Sequence, residues 1–310
     1  GKLKMVPRHV QLLPDGAVIS QMMQMTDGYL DSAGQPDPDH HGEWIMEPDA
    51  LRASFDVYWD AGWQIHIHVN GDLGLEVLLD IIEDAMARHP RIDHRTVIVH
   101  FATSTEEQVD RIARLGAIVS ANPYYPIGFA DKYSEIGLGP ERADVMARSG
   151  SVVQRGVSLS FHSDLPMGPS DPLVMASFAV NRITPSGRVA GPEQRISVQD
   201  ALEAVTIGAA HSWQRESDLG SIEPGKLANF TILADDPFEV DPTEPPAGRW
   251  RARKQGWRVL PMRPEGFSLA RASAISSAAS SRTAEAPPWV TVVTMSTLQS
   301  SIVAAAASTC

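Results

Sequence analysis

The feature that most constrains this chain is a repeated alternation of short β-branched runs with amphipathic helical stretches, several of the runs ending on a histidine or an aspartate. Trp63–His68 alternates as a strand, with Gln64, His66 and His68 on one face. Leu73–Arg88 follows with Leu75, Leu78, Leu79, Ile82 and Met86 at helical spacing. Thr96–Phe101 is a second strand. Ser104-Thr-Glu-Glu107 reads as a capping box ahead of a helix lined by Val109, Ile112 and Leu115. Gly116–Ser120 and Gly156–Phe161 are further strands, with a helix expected over Glu141–Arg148. Upstream, His9–Leu13 reads as a strand ending at Pro14-Asp15-Gly16. Downstream, Ser197 caps a helix running to His211.

Strands separated by helices imply parallel βα units. A doubly wound sheet would carry a glycine-rich phosphate loop after its first strand, and the sequence has none. Histidines and aspartates at successive strand ends favour a (β/α)8 barrel, which gathers its chemistry there. The expected fold class is therefore α/β, the C-terminal part of a TIM-like barrel over residues 1–215. Part of a small β-sandwich follows at 216–242, where Leu219–Leu233 reads as two strands around a Pro-Gly turn. Residues 243–310 read as a divergent, disordered tail: positions 261–310 hold 21 Ser or Ala and only two acidic residues.

Composition narrows the chemistry. A formal charge of −12 argues against nucleic-acid partners, which need a Lys/Arg surplus. Cys310 is the sole cysteine, so disulfides and thiolate-ligated zinc are excluded, and a metal would have to be held by His and carboxylate. Trp289–Cys310 is uncharged but too rich in Ser and Thr for a membrane span. The chain starts at Gly1 with no leader peptide; a cytoplasmic location is the expectation, with further chain upstream.

His66-Ile-His68-Val-Asn-Gly-Asp72, Val99-His100-Phe-Ala102 and His162-Ser-Asp164 each close an expected strand. From His68 to His100 is 32 residues and from His100 to Asp164 is 64, about one and two βα units. Converging imidazoles and a carboxylate make a zinc-type site, in which the metal activates water and a carboxylate moves the proton. Each residue has an ordinary reading too: a strand-end His can be a hydrogen-bonded core residue, and Ser-Asp before a helix can be an N-cap. His9, His40, His41, His89, His94 and His211 lack strand-end placement and read as ordinary residues. Of Tyr124 and Tyr125, at least one is expected to pack.

His68-Val-Asn-Gly-Asp72, Arg95-Thr-Val-Ile-Val-His100-Phe-Ala, Leu115-Gly-Ala-Ile-Val-Ser-Ala-Asn-Pro123 and Ser160-Phe-His-Ser-Asp164-Leu-Pro166 resemble the amidohydrolase family, in its branch of predicted amidases and N-substituted formamide deformylase-like proteins. Ala201–Thr206, Ala209-Ala-His211 and Gly220–Asn229 look like its last barrel helix and its return to the β-sandwich, so the resemblance runs over about residues 4–242. It implies a (β/α)8 barrel with one or two divalent ions, zinc foremost, and hydrolysis of a non-peptide C–N bond in a small amide of the N-acyl or N-formyl amine type. It also implies His68 as the strand-5 ligand, His100 as the strand-6 ligand, and Asp164 as the strand-8 ligand and general acid/base. Tyr125, His162 and Met167 are candidates to line the substrate, and a homo-oligomer stays open.

Only 96 residues separate His68 from Asp164, enough for strands 5–8 of such a barrel but not 1–8. His66-Ile-His68 is therefore not the family's strand-1 His-x-His, and His66 is expected to face inward one layer below the site. Two departures from the pattern follow. The strand-1 pair and the first three βα units are not in this sequence, which would leave strand edges unpaired. At the position of the family's metal-bridging lysine stands Gln11, which cannot form a carbamate. The alternative reading is thus a non-catalytic, truncated or degenerate homologue with at most a weak metal site.

Overall fold

Alternation along residues 64–69 sets the layout. Ile65, Ile67 and Val69 point to one side of the sheet and are buried, while Gln64, His66 and His68 point to the other. The computed structural model describes residues 8–227, 229, 231–232, 236–239 and 292–293. Five parallel strands lie in chain order across one sheet: β1 (His9–Leu12), β2 (Gln64–Val69), β3 (Val97–His100), β4 (Ile118–Ala121) and β5 (Leu159–Phe161). Among the described residues, β1 and β5 are each paired on one side only. The helices are α1 (Pro48–Asp60), α2 (Asp72–Arg88), α3 (Glu106–Leu115), α4 (Tyr124–Glu135), α5 (Pro140–Ala143), α6 (Ser149–Gln154), α7 (Pro172–Asn181), α8 (Val198–Val205) and α9 (Ile207–Ser212). No helix among the described residues is long and apolar enough to cross a membrane.

Register makes the outer face of the sheet a continuous apolar row. Ile67 pairs with Ile98, Ile98 with Val119 and Val119 with Leu159. This row meets Leu75, Leu78 and Ile82 of α2, Val109 and Ile112 of α3, and Val152 of α6 in one buried core. Each fully buried aliphatic side chain there contributes about 1.5–3 kcal/mol. The inner face is polar: Gln11 pairs with His66, and Ser120 pairs with Ser160. Trp213, just after α9, lies against His66 and His9, with ring centroids 4.7 and 5.7 Å apart, and Gln64 donates to the Ser212 carbonyl at 2.9 Å. The N-terminal half of the inner face is thereby closed by α9 and its C-terminal turn.

The connection between β1 and α1 folds over the opposite end of the sheet. Its Val18, Met23, Met25 and Tyr29 form a second core with Tyr125, Ala130 and Tyr133 of α4 and with Met146 and Ala190.

Four expectations need correction. The capping box sits one residue later, on Thr105 and Gln108, because the Gln108 amide also reaches the Asp72 carbonyl and Glu76 of α2. In place of one helix over Glu141–Arg148 there are α5 and α6. Arg182 is fully buried and donates to the carbonyls of Asp144, Met146 and Ala147 at 2.9, 2.8 and 3.2 Å, engaging acceptors that a continuous helix would use, and Ala147 adopts φ +49°. The helix capped by Ser197 breaks at Thr206, whose hydroxyl bonds back to the Leu202 carbonyl at 2.6 Å. Beyond the break, Gly208 packs so closely on the Leu159 carbonyl that a Cβ would come within 2.2 Å. Around Pro224-Gly225, residues 219–227 form turns rather than a strand, and Thr231–Ile232 pairs antiparallel with Val292–Val293. Apart from that pairing, the expected tail at 243–310 lies outside the described residues.

Candidate functional site

The C-terminal ends of β2, β3 and β5 bring three imidazoles together. The rings of His68 and His100 lie 4.2 Å apart at 66°, and those of His100 and His162 lie 4.6 Å apart at 81°. His162 Nε2 is 3.0 Å from His100 Nδ1, the Tyr125 hydroxyl is 2.8 Å from the same nitrogen, and Ser120 Oγ is 3.3 Å from His162 Nδ1. Tyr125, His100, His162 and Ser120 thus form one hydrogen-bonded chain across β3, α4, β4 and the end of β5.

The backbone bends sharply where these side chains leave their strands. His100, Phe101 and Asp164 have φ of +78°, +53° and +51°, a left-handed conformation costly for side chains of their size. Such strain is held in place by surrounding structure and clusters at functional sites. Here Phe101 bonds to the Val69 carbonyl and Asn122 to the His100 carbonyl, at 3.0 and 3.2 Å, which locks the turn after β3 to its neighbours.

Burial dominates the electrostatics. It lowers His68 to about 4 and His162 to about 3, and holds His100 well below the usual range, with the neighbouring imidazoles adding to the effect on His100 and His162. All three are neutral at pH 7, the form in which imidazole ligates a metal. Burial raises the Asp164 carboxyl above the ordinary range, and it raises the Tyr125 phenol, with the Asp164 charge as the next cause.

The donor types therefore suit a divalent ion. Their arrangement does not yet complete a site: among the described residues, no three His, Cys, Asp or Glu are grouped so as to hold a metal ion. His68 and His100 are brought together, whereas Asp164 does not close a three-ligand set with them. Gln11 lies exposed on the edge strand, on the same face as its register partner His66. His66 is buried and inward-facing, beside Trp213 and below His68. Tyr125 is buried in the second core while touching His100, and Met167 packs partly buried against that core.

Two residues of this region went unnoticed in the sequence. The buried Asp15 carboxylate accepts from the backbone nitrogens of Gln24, Asn70 and Gly71 at 3.1, 3.0 and 2.7 Å. Desolvation pushes its pKa up to about 7 against the pull of these bonds. Asn70, within His68-Val-Asn-Gly-Asp72, has its amide against His68. In sequence, Pro-Asp-Gly marks a turn and nothing more.

The parallel β/α sheet thus carries imidazoles and a carboxylate at the C-terminal ends of its strands. The chain belongs to the amidohydrolase family, whose model matches residues 1–260. It is 32% identical over 233 residues to the protein LONG AFTER FAR-RED 3 of Arabidopsis thaliana, covering 74% of this chain and 39% of that protein. To the N-substituted formamide deformylase of Arthrobacter pascens it is 31% identical over 198 residues, covering 61% of this chain and 34% of the enzyme. Among solved structures, an uncharacterized metal-dependent hydrolase from Pyrococcus horikoshii superposes with a TM-score of 0.64 at 28% identity, over 76% of this chain and 46% of that one. The chain spans less than half the length of these relatives.

Proposed function

We propose that this chain serves metal-dependent hydrolysis of a non-peptide C–N bond, in a small N-acyl or N-formyl amine, with His68, His100 and Asp164 as its metal-holding residues and Asp164 as the proton carrier. The observation that carries the reading is the contact of two neutral imidazoles, the half-buried His68 and the buried His100, at the ends of adjacent parallel strands. The likeness to a formamide deformylase supports the substrate class. Imidazole and carboxylate donors suit zinc. A divalent ion held there by His68, His100 and Asp164 would supply the Lewis acidity that activates water and polarises a carbonyl.

The chain's own residues do the rest. The raised pKa of Asp164 suits a carboxylate that takes a proton from the attacking water and returns it to the leaving nitrogen. Tyr125 and His162 hold the His100 ring through Nδ1, and Met167 borders the substrate. A second reading, a degenerate homologue without turnover, draws on two observations: the lack of a three-ligand group among the described residues, and Gln11 in place of a lysine.

Metal analysis of the purified full chain separates the two, with His100→Ala as control. Bound metal in the wild type that is lost in the variant supports the proposal, and equal content in both removes these ligands from it. Against a panel of N-formyl and N-acyl amines, Asp164→Asn should slow turnover by about 10²–10⁴-fold. Absence of wild-type turnover leaves the degenerate reading.

A further inference from the structure

The Asp15 carboxylate is completely buried, forms no ion pair among the described residues, and takes no part in the chemistry proposed above. Its contacts are all backbone nitrogens. Oδ1 accepts from Asn70, and Oδ2 accepts from Gly71 and Gln24. The carboxylate therefore ties the loop after β1 to the turn after β2, at the start of α2. The backbone closes tightly around that junction: a Cβ on Gly71 would lie 1.9 Å from the Gln24 carbonyl oxygen, and one on Gly74 would lie 3.2 Å from Asp15 Oδ2.

That turn presents Asn70, which is itself buried. Its amide nitrogen sits 3.0 Å from the Gly16 carbonyl oxygen and 3.2 Å from His68 Nε2. A carbonyl oxygen only accepts, so Gly16 dictates which way the amide faces; reversing it would set two oxygens against each other. The second N–H of the amide then points at His68 Nε2. Because an amide nitrogen only donates, Nε2 must carry a lone pair, and the proton of the neutral ring belongs on Nδ1.

We infer that Asp15 and Asn70 are positioning residues, Asp15 anchoring the turn after β2 and Asn70 setting the orientation and tautomer of His68. The functional value of this device rests on the reading of His68 as a site residue: with the proton on Nδ1, Nε2 is the nitrogen left to ligate, and a metal ion would have to take that lone pair from Asn70. The device in the metal-free chain does not rest on that reading. A role for Asp15 as a mere anion at the start of α2 accounts for its three backbone contacts. It does not account for an amide held between Gly16 and His68.

The test is long-range 1H–15N correlation of the full chain labelled at its imidazole nitrogens, with His68 assigned by the signal lost in His68→Gln. The wild type should show a single His68 tautomer, protonated on Nδ1. Asn70→Asp places acceptor oxygens where the donor was and should move the proton to Nε2, while Asn70→Ala should give a mixture. A wild-type proton on Nε2, or the same single tautomer in all three proteins, overturns the inference. For Asp15, Asp15→Asn should blur the single tautomer while retaining native circular dichroism; an unchanged tautomer removes Asp15 from the device. Should that variant not fold, hydrogen exchange of the wild type decides. Protected amides at Asn70 and Gly71 support the anchor, and rapid exchange there overturns it. None of these readouts uses metal or turnover, so this inference and the hydrolase proposal fail independently.

Discussion

Neutral histidines, buried or half-buried, occur at both ends of the sheet, and their partners differ. At the N-terminal end, His94 Nε2 lies 2.9 Å from the Leu115 carbonyl, and Nδ1 accepts from the Thr96 nitrogen at 3.0 Å and pairs with the Thr96 hydroxyl at 2.8 Å. Its ring packs 5.0 Å from that of Trp59. Both nitrogens are met by the strand it precedes and the helix end beside it. At the other end, His68, His100 and His162 meet one another and are reached by side chains from further elements, Asn70, Tyr125 and Ser120. Desolvation lowers the pKa in both groups. Burial and a depressed pKa therefore do not mark a functional histidine. What separates the C-terminal cluster from His94 is that side chains from several elements converge on one another there.

The comparison is most exposed to deletion of the rings. His94→Ala leaves the Leu115 carbonyl and the Thr96 N–H without their partner and opens a void against Trp59. The expected loss is about 2–4 kcal/mol in urea unfolding. His162→Ala removes a half-buried ring whose partners are other side chains, and should cost about 1 kcal/mol or less. Equal losses would mean that the C-terminal cluster is packing like any other, and the distinction would collapse.

Much of this contrast was legible in the residues. The alternation around His66-Ile-His68 predicts a strand and its inner face, and the five strands expected between His9 and Phe161 and the helices α2 and α3 agree with the structure to within three residues at their ends. What escaped were features set by contacts distant in sequence. The Glu141–Arg148 pattern is helical by composition, but Arg182, some forty residues on, draws its carbonyls away. The helix after Ser197 has continuous periodicity, yet Gly208 must dock on the Leu159 carbonyl. For the site, strand-end spacing picked out His68 and His100, which the fold makes neighbours. Neither the ring contact of His162 with His100 nor the link from Asp15 through Asn70 to His68 leaves a periodic trace, because each depends on hydrogen bonds that only the folded chain brings together.

Acid should sharpen the comparison at its structural end. The folded-state pKa of His94 is lowered by burial, so the unfolded chain binds the proton more readily. Stability tied to this group is complete above the unfolded value of about 6.5 and declines as pH falls through it, by at most about 1.4 kcal/mol per pH unit. Protonation would also set an Nδ1–H against the Thr96 N–H. In His94→Gln this part of the slope should vanish from melting curves taken between pH 7.5 and 5. A slope identical to that of the wild type would show that His94 does not titrate with unfolding.

The smallest effect probes the convergent end. Tyr125 and His162 both address His100 Nδ1, one from α4 and one from beyond β5. Tyr125→Phe keeps the ring in the second core and removes only the hydroxyl, for a loss of about 0.5–1.5 kcal/mol. Since the two groups share a single nitrogen, either variant alters what the other contributes, and the double variant Tyr125→Phe/His162→Gln should depart from additivity by about 0.5 kcal/mol or more. A double-mutant cycle on unfolding free energies measures this. Strict additivity would mean that the two side chains reach His100 independently, and convergence on one imidazole would no longer separate this end of the sheet from the self-contained His94.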